Sequence, residues 1–514
     1  MVRQTAKILF LEVLGGLTLL LILAAGALAW RLSTGPMALD FLSDEFQAAI
    51  AETRGGRPVN WRALALEWDT DARRLIATAS DIELLNDDGR VAGRADRGEV
   101  AIDFGAFLFG RIVPKAINLQ GGVVDVEIDE RGLIEIAGEP VAFTWPQTAP
   151  TPNFDPEQFV RLADGFMADA IKSVSAEADL VDVETISFER ITLNVLDAAN
   201  RPVATIGDAK ATLSLDEEQV IAAVSGASDP EQGLPASFSL AAKGPRDLSE
   251  LTLNLSVVDW SLEALTSRIF GRPVTASGIQ SDATLTLSAD AAVGLREIAF
   301  EVSAGAGRVD FGGREVDVSG VKIALNYDSQ TDVLGISADQ LDAGMFNGSG
   351  KLNIADVLTG EGDRTFELRS PELTIDLTPT LTTPLRLKDI SAAGRLDPTT
   401  LRLRASKLAV TNAGGTITGA GGFEWTGGPP RPDRFPFELT FDGDFAGAWT
   451  ISDILALWPV EFVKGVRDRS EKMFLQGTIY DADIEVAIQP GNRVDGRLTA
   501  DALAVRFNAR DVVH

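Results

Sequence analysis

An alternation of apolar and polar residues, repeated along much of the chain, constrains the fold more than any other feature. Val124, Val126 and Ile128 would share one face of a strand, and the acidic residues between them would take the other face. Side chains of a β-strand point alternately to its two faces, so this period of two is typical of a half-buried strand. The same pattern recurs in segments 251–257, 283–287, 321–327 and 401–404. The sequence therefore predicts a mainly β protein.

Turn signals and a few helical segments complete this prediction. Asn347-Gly348 and Gly414-Gly415 are dipeptides that supply the backbone conformations of tight hairpins. Helical spacing of apolar residues predicts short helices over 43–54 and 155–176, and residues 139–156 are rich in proline and predict a linker. Helices are thus too few to cover many amphipathic strands.

The apolar faces of these strands must be covered in some other way. Two sheets can cover each other in a β-sandwich, or one sheet can close into a barrel. A long curved sheet could instead bind acyl chains on its apolar face. The alternation alone does not choose among these three arrangements.

The amino terminus predicts a membrane anchor. Residues 8–30 are almost wholly apolar and would reach about 34 Å as a helix, enough to cross a bilayer. Arg3 and Lys7 precede the segment and favour a cytoplasmic amino terminus. A cleaved signal peptide is the alternative, because Ala27-Leu28-Ala29 resembles a cleavage site. The anchor prediction includes Leu19, Leu20, Leu21, Ile22 and Trp30.

Composition excludes several classes of chemistry. The chain has no cysteine, and its single histidine is His514, so we expect no metal site, no cofactor and no enzymatic activity. The formal net charge of -29 disfavours nucleic acid as a partner. An exported enzyme that uses only carboxylates remains an alternative.

A set of segments has a recognisable order: a single-pass anchor followed by 64–68, 79–84, 98–102, 109–114 (FGRIVP) and 117–122 (INLQGG), and later 454–459 and 475–479. With these segments the chain resembles the AsmA-like bacterial envelope proteins, and in particular their YhdP-like branch of bridge-type lipid transfer proteins. The resemblance implies an N-terminal transmembrane helix followed by an elongated, twisted antiparallel β-sheet groove with a few short helices. It divides the chain into a cytoplasmic tail (1–7), an anchor (8–30), an AsmA-like β module (31–138), a Pro-rich linker and helix (139–180) and a repeating β-groove region (181–514).

The resemblance also implies a location and a function. Such a protein would sit in the bacterial inner membrane as a single-pass protein, with most of its chain in the periplasm. It would carry glycerophospholipids toward the outer membrane, with an outer-membrane or periplasmic protein as a further partner. Members of the branch are usually far longer, so we expect a truncated chain or one segment of a bridge. The alternative function is a non-enzymatic envelope assembly or scaffold factor for outer-membrane protein biogenesis, with a self-covered β-sandwich.

The candidate lipid-binding residues are the apolar members of the alternating strands. A charged residue at Leu253 or Leu325 is expected to block lipid passage without unfolding the chain, since this face would be half open. Ordinary core packing is the alternative for every one of these positions. The candidates are Val124, Val126, Ile128, Leu251, Leu253, Leu255, Leu285, Leu287, Ile323 and Leu325.

Overall fold

The structure is a computed structural model of the chain. It describes residues 31, 35–39, 43–53, 56–69, 74–87, 89–108, 111, 113–128, 133–137, 139–144, 156–178, 183–196, 201–216, 218–228, 234–263, 276–310, 315–344, 346–360, 362–376, 383–397, 400, 402–425, 434–435, 437–457, 477–488, 491–494, 497–498 and 503–513. The predicted anchor, residues 8–30, lies outside these ranges, as do Leu19, Leu20, Leu21, Ile22 and Trp30. No helix within these ranges is long and apolar enough to cross a membrane.

The described chain is mainly β, as predicted. The helices are α1 (Ser43–Thr53), α2 (Phe104–Leu108), α3 (Pro156–Ala178) and α4 (Ile451–Leu457). The first strands are β1 (Met37–Ala38), β2 (Val59–Asn60), β3 (Ala63–Asp69), β4 (Arg74–Leu85), β5 (Val91–Ile102), β6 (Pro114–Gln120), β7 (Val123–Ile128), β8 (Leu133–Ile136), β9 (Glu139–Thr144), β10 (Thr185–Leu196), β11 (Pro202–Leu215), β12 (Gln219–Ser228), β13 (Ser237–Pro245) and β14 (Glu250–Ser261).

The remaining strands follow after residue 275. They are β15 (Ala276–Ser277), β16 (Gln280–Asp290), β17 (Gly294–Ala304), β18 (Gly307–Asp310), β19 (Glu315–Val318), β20 (Gly320–Asp328), β21 (Val333–Ala343), β22 (Phe346–Ala355), β23 (Arg364–Ile375), β24 (Leu385–Asp397), β25 (Arg402–Asn412), β26 (Gly415–Trp425), β27 (Arg434–Phe435), β28 (Phe437–Thr450), β29 (Thr478–Ile488), β30 (Gly491–Val494), β31 (Arg497–Leu498) and β32 (Leu503–Val513). Helices α1 and α3 confirm the two helical segments predicted from apolar spacing.

The chain divides into two compact units. Unit 1 comprises Met1–Gln147 and Ala168–Leu255, and unit 2 comprises Thr148–Met167 and Ser256–His514. One division therefore falls within strand β14 and another within helix α3. The predicted module boundaries at 138 and 180 do not coincide with these divisions.

Unit 1 is a sheet whose paired strands are antiparallel, with one exception. Strand β10 pairs in parallel with both β6 and β7, while its other neighbour, β11, is antiparallel. Parallel neighbours need a long crossover connection, and the segment between β9 and β10 supplies one that contains α3. Period-two alternation predicts strands but carries no information about their relative direction.

A pair of glycines joins β6 to β7. Gly121 and Gly122 have φ angles of +67° and +106°, which favour glycine. A Cβ on Gly122 would lie only 2.0 Å from the carbonyl oxygen of Arg94. The two glycines of the INLQGG segment thus let the backbone of β5 approach closely at the point where the chain passes from β6 to β7.

The core of unit 1 lies on one face of its sheet. Leu64, Leu66, Leu75 and Ile102 are buried there, and partly buried residues of α1 and α2, such as Phe46 and Phe104, pack against them. The ring of Trp68 meets that of Phe104 edge to face at 5.3 Å. Burial of these side chains is the main stabilising contribution at this end of the sheet.

Unit 2 contains a long antiparallel meander. Its strands pair in the order β16, β17, β20, β21, β22, β23, β24, β25, β26, β28, β29 and β32. The predicted turn at Gly414-Gly415 connects β25 to β26 and is confirmed. The predicted turn at Asn347-Gly348 is wrong, because both residues lie inside β22. A Cβ on Gly348 would be 2.4 Å from the carbonyl oxygen of Glu372, so this glycine permits close approach of β23.

Candidate functional site

Two rows of apolar residues cross the sheet of unit 2 from β16 to β32. Each row is a series of directly opposite residues on neighbouring strands. Row A is Leu285, Phe300, Leu325, Ile336, Leu352, Leu368, Ala392, Leu408, Gly419, Gly443, Ile484 and Phe507. Row B is Leu287, Ile298, Tyr327, Leu334, Ile354, Phe366, Gly394, Ala405, Gly421, Phe441, Val486 and Val505. We call the surface that they form the apolar face.

The opposite face of the same strands is polar. One row on it contains Thr284, Glu301, Ala324, Ser337, Lys351, Arg369, Ser391, Ala409, Thr418, Asp444, Asp483 and Asn508. Lys322 and Glu301 form an ion pair across this face. The sheet therefore keeps one face suited to solvent and one face that must be covered.

Helix α3 covers one end of the apolar face. Arg364 has the same orientation in β23 as Phe366, and its guanidinium pairs with Glu157 of the helix at 2.5 Å. Asp164, two turns further along, accepts a hydrogen bond of 2.8 Å from the backbone N–H of Leu295 at the start of β17. The helix thus crosses the ends of strands β17 to β23. Val160 of the helix is fully buried, and so are the row B residues Ile298 and Leu334.

A small sheet covers the other end of the first strands. Strands β15, β18 and β19 form it, with Val309 and Val318 buried in its core. Ala304 and Val321, at the far ends of β17 and β20, pack against this core. A third covered region lies at β28 and β29, where Trp449 is fully buried against Phe445, with their rings 4.9 Å apart.

Between these covered regions the apolar face is partly exposed. Within the described residues of row A, Phe300, Ile336, Leu352, Leu368 and Leu408 all retain some solvent accessibility. They lie on consecutive or nearby strands of the sheet. Each strand adds about 4.8 Å, so the partly exposed strip from β16 to β25 extends roughly 40 Å. This strip is the candidate functional site.

The strip continues past β25 over two glycines. Gly419 and Gly443 occupy row A, and the ring of Phe441 lies above them. A Cβ on Gly443 would be 2.5 Å from the tip of that ring, and a Cβ on Gly419 would be 3.0 Å from it. The aromatic ring therefore supplies the apolar surface where the row itself has no side chains.

The structure places the predicted residues of unit 2 together on this face. Leu285 and Leu325 belong to row A, and Leu287 belongs to row B. Ile323 lies two residues before Leu325 and opposite Val302, so it has the same orientation. Leu285 and Ile323 are partly exposed, whereas Leu287 and Leu325 are buried.

The other predicted residues belong to unit 1. Leu251 and Leu253 of β14 are buried and Leu255 is partly buried, all on one face of the strand. Val124 and Val126 of β7 are partly buried and pair with Leu193 and Val195 of β10. Ile128 ends the same strand. Leu253 and Leu325 are 5% and 8% exposed, so these two positions are core-like and differ from the half-open positions expected from alternation.

Sequence reasoning missed several partly exposed residues of the strip. Ile336, Leu352 and Leu368 lie on β21, β22 and β23, where each alternates with only one large apolar neighbour (Leu334, Ile354 and Phe366, respectively). A single strand with so short an alternation gives a weak signal. Their shared row becomes visible only when the strand register is known.

Several polar groups of unit 2 are engaged in structural contacts. Asp332 accepts hydrogen bonds from the backbone N–H groups of Leu358 and Thr359 and from the hydroxyl of Tyr327. Burial raises the pKa of Tyr327, and the nearby Asp332 carboxylate raises it further. Burial alone would raise the pKa of Asp332, but its hydrogen bonds, chiefly from Thr359, outweigh burial and hold the pKa below its usual value.

An ion pair between neighbouring strands also has a structural role. Arg402 and Glu424 form two parallel hydrogen bonds of 2.6 and 2.7 Å between β25 and β26. The hydrogen bond from Arg402 lowers the pKa of Glu424.

Among the residues that the structure describes, no group of three or more carboxylate, histidine or cysteine side chains is placed to hold a metal ion.

The fold and the site define a class of protein with a one-sided antiparallel sheet and a partly open apolar face. Comparison of the chain with protein-family models, curated proteins and solved structures finds no match.

Proposed function

We propose that this chain is an inner-membrane-anchored periplasmic protein that carries phospholipid acyl chains along a hydrophobic β-groove toward the outer membrane. The apolar face of unit 2 would form part of that groove. Residues 8–30 would anchor the chain, and the amino terminus would be cytoplasmic. The resemblance of the amino-terminal region to AsmA-like proteins supports this assignment.

The partly exposed row A is the observation that supports the proposal most. An ordinary core would bury its central residues and expose its margins. Here row B is mostly buried near the strand ends, and Leu325 and Ala392 of row A are buried too, while Ile336, Leu352 and Leu368 remain partly exposed. Large apolar surfaces that stay accessible in a folded protein usually mark a binding site.

The proposed mechanism follows from the hydrophobic effect. Each methylene group that leaves an apolar environment for water costs about 0.8 kcal/mol, so an acyl chain meets a large barrier if it crosses water unaided. A continuous apolar strip removes most of that barrier, because each strand offers a surface similar to the last. The polar headgroup would remain in solvent, so no charged group would need to be buried.

Transport of this kind needs no covalent chemistry. Sliding along an apolar strip requires shallow, similar binding energies at successive positions. Row A consists of aliphatic and aromatic residues and two glycines, without a charged member, from β16 to β32. The charged residues of the opposite face make that face unsuited to acyl chains, so lipid would be confined to the apolar face.

A lipid transfer assay tests the proposal. Full-length chain is reconstituted in donor vesicles with a fluorescent phospholipid, and transfer to acceptor vesicles is followed. Ile336→Asp places a carboxylate in the partly exposed strip and is expected to reduce transfer at least about tenfold, because desolvating a charge costs several kcal/mol. The matched control is Ser337→Asp, on the polar face of the same strand, beside Lys351.

The pair of variants separates the proposal from a general loss of structure. Equal circular dichroism spectra with transfer lost only in Ile336→Asp would support it. Equal transfer by both variants and the native chain, or no transfer above a protein-free control, would contradict it. In the latter case, binding of unfolded outer-membrane precursors would favour the assembly or scaffold alternative.

A further inference from the structure

The polar face of unit 2 separates its charges along the sheet. In the row that contains Ser337, the residues on β22 and β23 are Lys351 and Arg369, and those on β28 and β29 are Asp444 and Asp483. Between these charges the row contains Ser391, Ala409 and Thr418. One row therefore passes from cationic to neutral to anionic.

Neighbouring rows strengthen the cationic end. Arg395 of β24 lies directly opposite Arg404 of β25, and Lys407 lies opposite Ala393 on the same face. We call Lys351, Arg369, Arg395, Arg404 and Lys407 the cationic patch; all of its members are exposed. Carboxylates also lie among these strands: Glu367 pairs with Arg369, Glu372 lies opposite Lys388, and Glu424 pairs with Arg402.

The anionic end is equally well defined. Asp442 lies opposite Glu485, next to the pair formed by Asp444 and Asp483. We call Asp442, Asp444, Asp481, Asp483 and Glu485 the acidic patch. Arg510 contacts Asp444, Asp481 and Asp483 at 2.6 to 2.9 Å, and Arg506 contacts Glu485 at 3.4 Å, so arginines neutralise only part of the patch.

We propose that the polar face of unit 2 is a homodimer interface, in which the cationic patch of each copy contacts the acidic patch of the other. A two-fold axis parallel to the strands, between β25 and β26, would place β23 and β24 of each copy, with Arg369 and Arg395, over β29 and β28 of the other, with Asp483 and Asp444. Both contacts would then form at once, as a two-fold interface requires. The net charge of -29 disfavours binding to another acidic protein. The polar face of this chain nevertheless carries one cationic and one acidic patch, so it is complementary to a second copy of itself.

The dimensions suit such an interface. The strands from β22 to β32 span about 38 Å, and the charged rows extend about 20 Å along the strands. This area of roughly 800 Å² on each partner is that of a standard protein interface. The patch centres are about 17 Å apart, beyond a Debye length of about 8 Å, so the patches act separately within one chain. Two copies of one twisted sheet can also pack face to face with aligned strands.

Charge-swapped variants of the full-length chain test the proposal. The first variant is Arg369→Glu with Arg395→Glu, on the strands that would face β29 and β28 of the other copy, and the second is Asp444→Lys with Asp483→Lys. Each is expected to raise the dissociation constant at least about tenfold, since like charges would face each other at both contacts. An equimolar mixture of the two should associate again, because each patch then meets its complement.

The measurement is sedimentation velocity in a neutral detergent at low and high salt, with co-purification of differently tagged copies. The control variant is Glu297→Lys with Glu301→Lys, which reverses charges on β17, outside both patches, and should leave the dimer unchanged. Circular dichroism checks that each variant is folded. A monomer at all concentrations, dimerisation that neither variant weakens, or a mixture that fails to reassociate would each overturn the proposal.

Discussion

Removing the carboxylate of Glu157 should loosen helix α3 from unit 2 more than removing the guanidinium that it neutralises. The side chain of Arg364 is only 4% exposed, while that of Glu157 is 33% exposed. Arg364 also donates hydrogen bonds to the carbonyl oxygens of Gly360 and Gly362, and within the described residues its Nε has no acceptor. In Glu157→Ala a buried charge would remain without its partner.

The magnitude follows from that geometry. Breaking a buried ion pair by removing one partner typically costs about 3–5 kcal/mol. Glu157 is one-third exposed and Arg364 keeps its carbonyl acceptors, so we expect a smaller loss of about 2 kcal/mol. Arg364→Met removes the buried charge itself and should cost less than about 1 kcal/mol. The double variant should resemble Arg364→Met, since the penalty of Glu157→Ala arises from the remaining charge.

Hydrogen exchange measures this loosening directly. The amide of Leu295 donates to Asp164 of α3, so its exchange reports undocking of the helix. A loss of about 2 kcal/mol predicts exchange about 30-fold faster in Glu157→Ala. Mass spectrometry of peptides from the start of β17 provides the readout. An equal or larger effect in Arg364→Met, or unchanged exchange in Glu157→Ala, would refute this reasoning.

Three further predictions concern stability. Trp449→Ala should destabilise unit 2 by about 3–5 kcal/mol, because this indole is fully buried. Gly414→Ala should also destabilise, since its Cβ would lie 2.4 Å from the Trp449 ring, but it should add little in a Trp449→Ala background; thermal midpoints of the three variants check this. The pKa of Asp332 is lowered in the folded state, so its stabilising contribution is present at neutral pH and is lost as pH falls through that value. Asp332→Asn should therefore be less stable than the native chain at pH 7, with a difference that shrinks below about pH 4 in denaturant titrations.

The strands were largely predictable because alternation is a local property. Segments 283–287 and 321–327 lie within β16 and β20, and segment 123–128 is β7. The apolar spacing over 155–176 likewise predicted α3. In each case the pattern within one segment sufficed.

Properties that depend on neighbouring strands were not predictable. Gly348 has the composition of a turn, but its role is to admit the backbone of β23. The parallel placement of β10 depends on a crossover that alternation does not encode. Register and coverage also decide which apolar residues are accessible, so Leu325 is core-like while Ile336, opposite it, is part of the open strip.

The charge segregation of the polar face belongs to the same category. The sequence distributes Lys351, Arg369, Asp444 and Asp483 over more than a hundred residues. Only the meander places them in one row. A net charge summed along the chain conceals such a pattern.

The central claim is that the strip of row A binds acyl chains, and bound lipid can be counted directly. The full-length chain is purified from bacterial membranes, and native mass spectrometry and lipid extraction give the number of phospholipids per chain. We expect several bound phospholipids in the native chain and in Ser337→Asp, and clearly fewer in Ile336→Asp. A native chain without bound phospholipid, or an equal lipid content in all three proteins, would contradict the account.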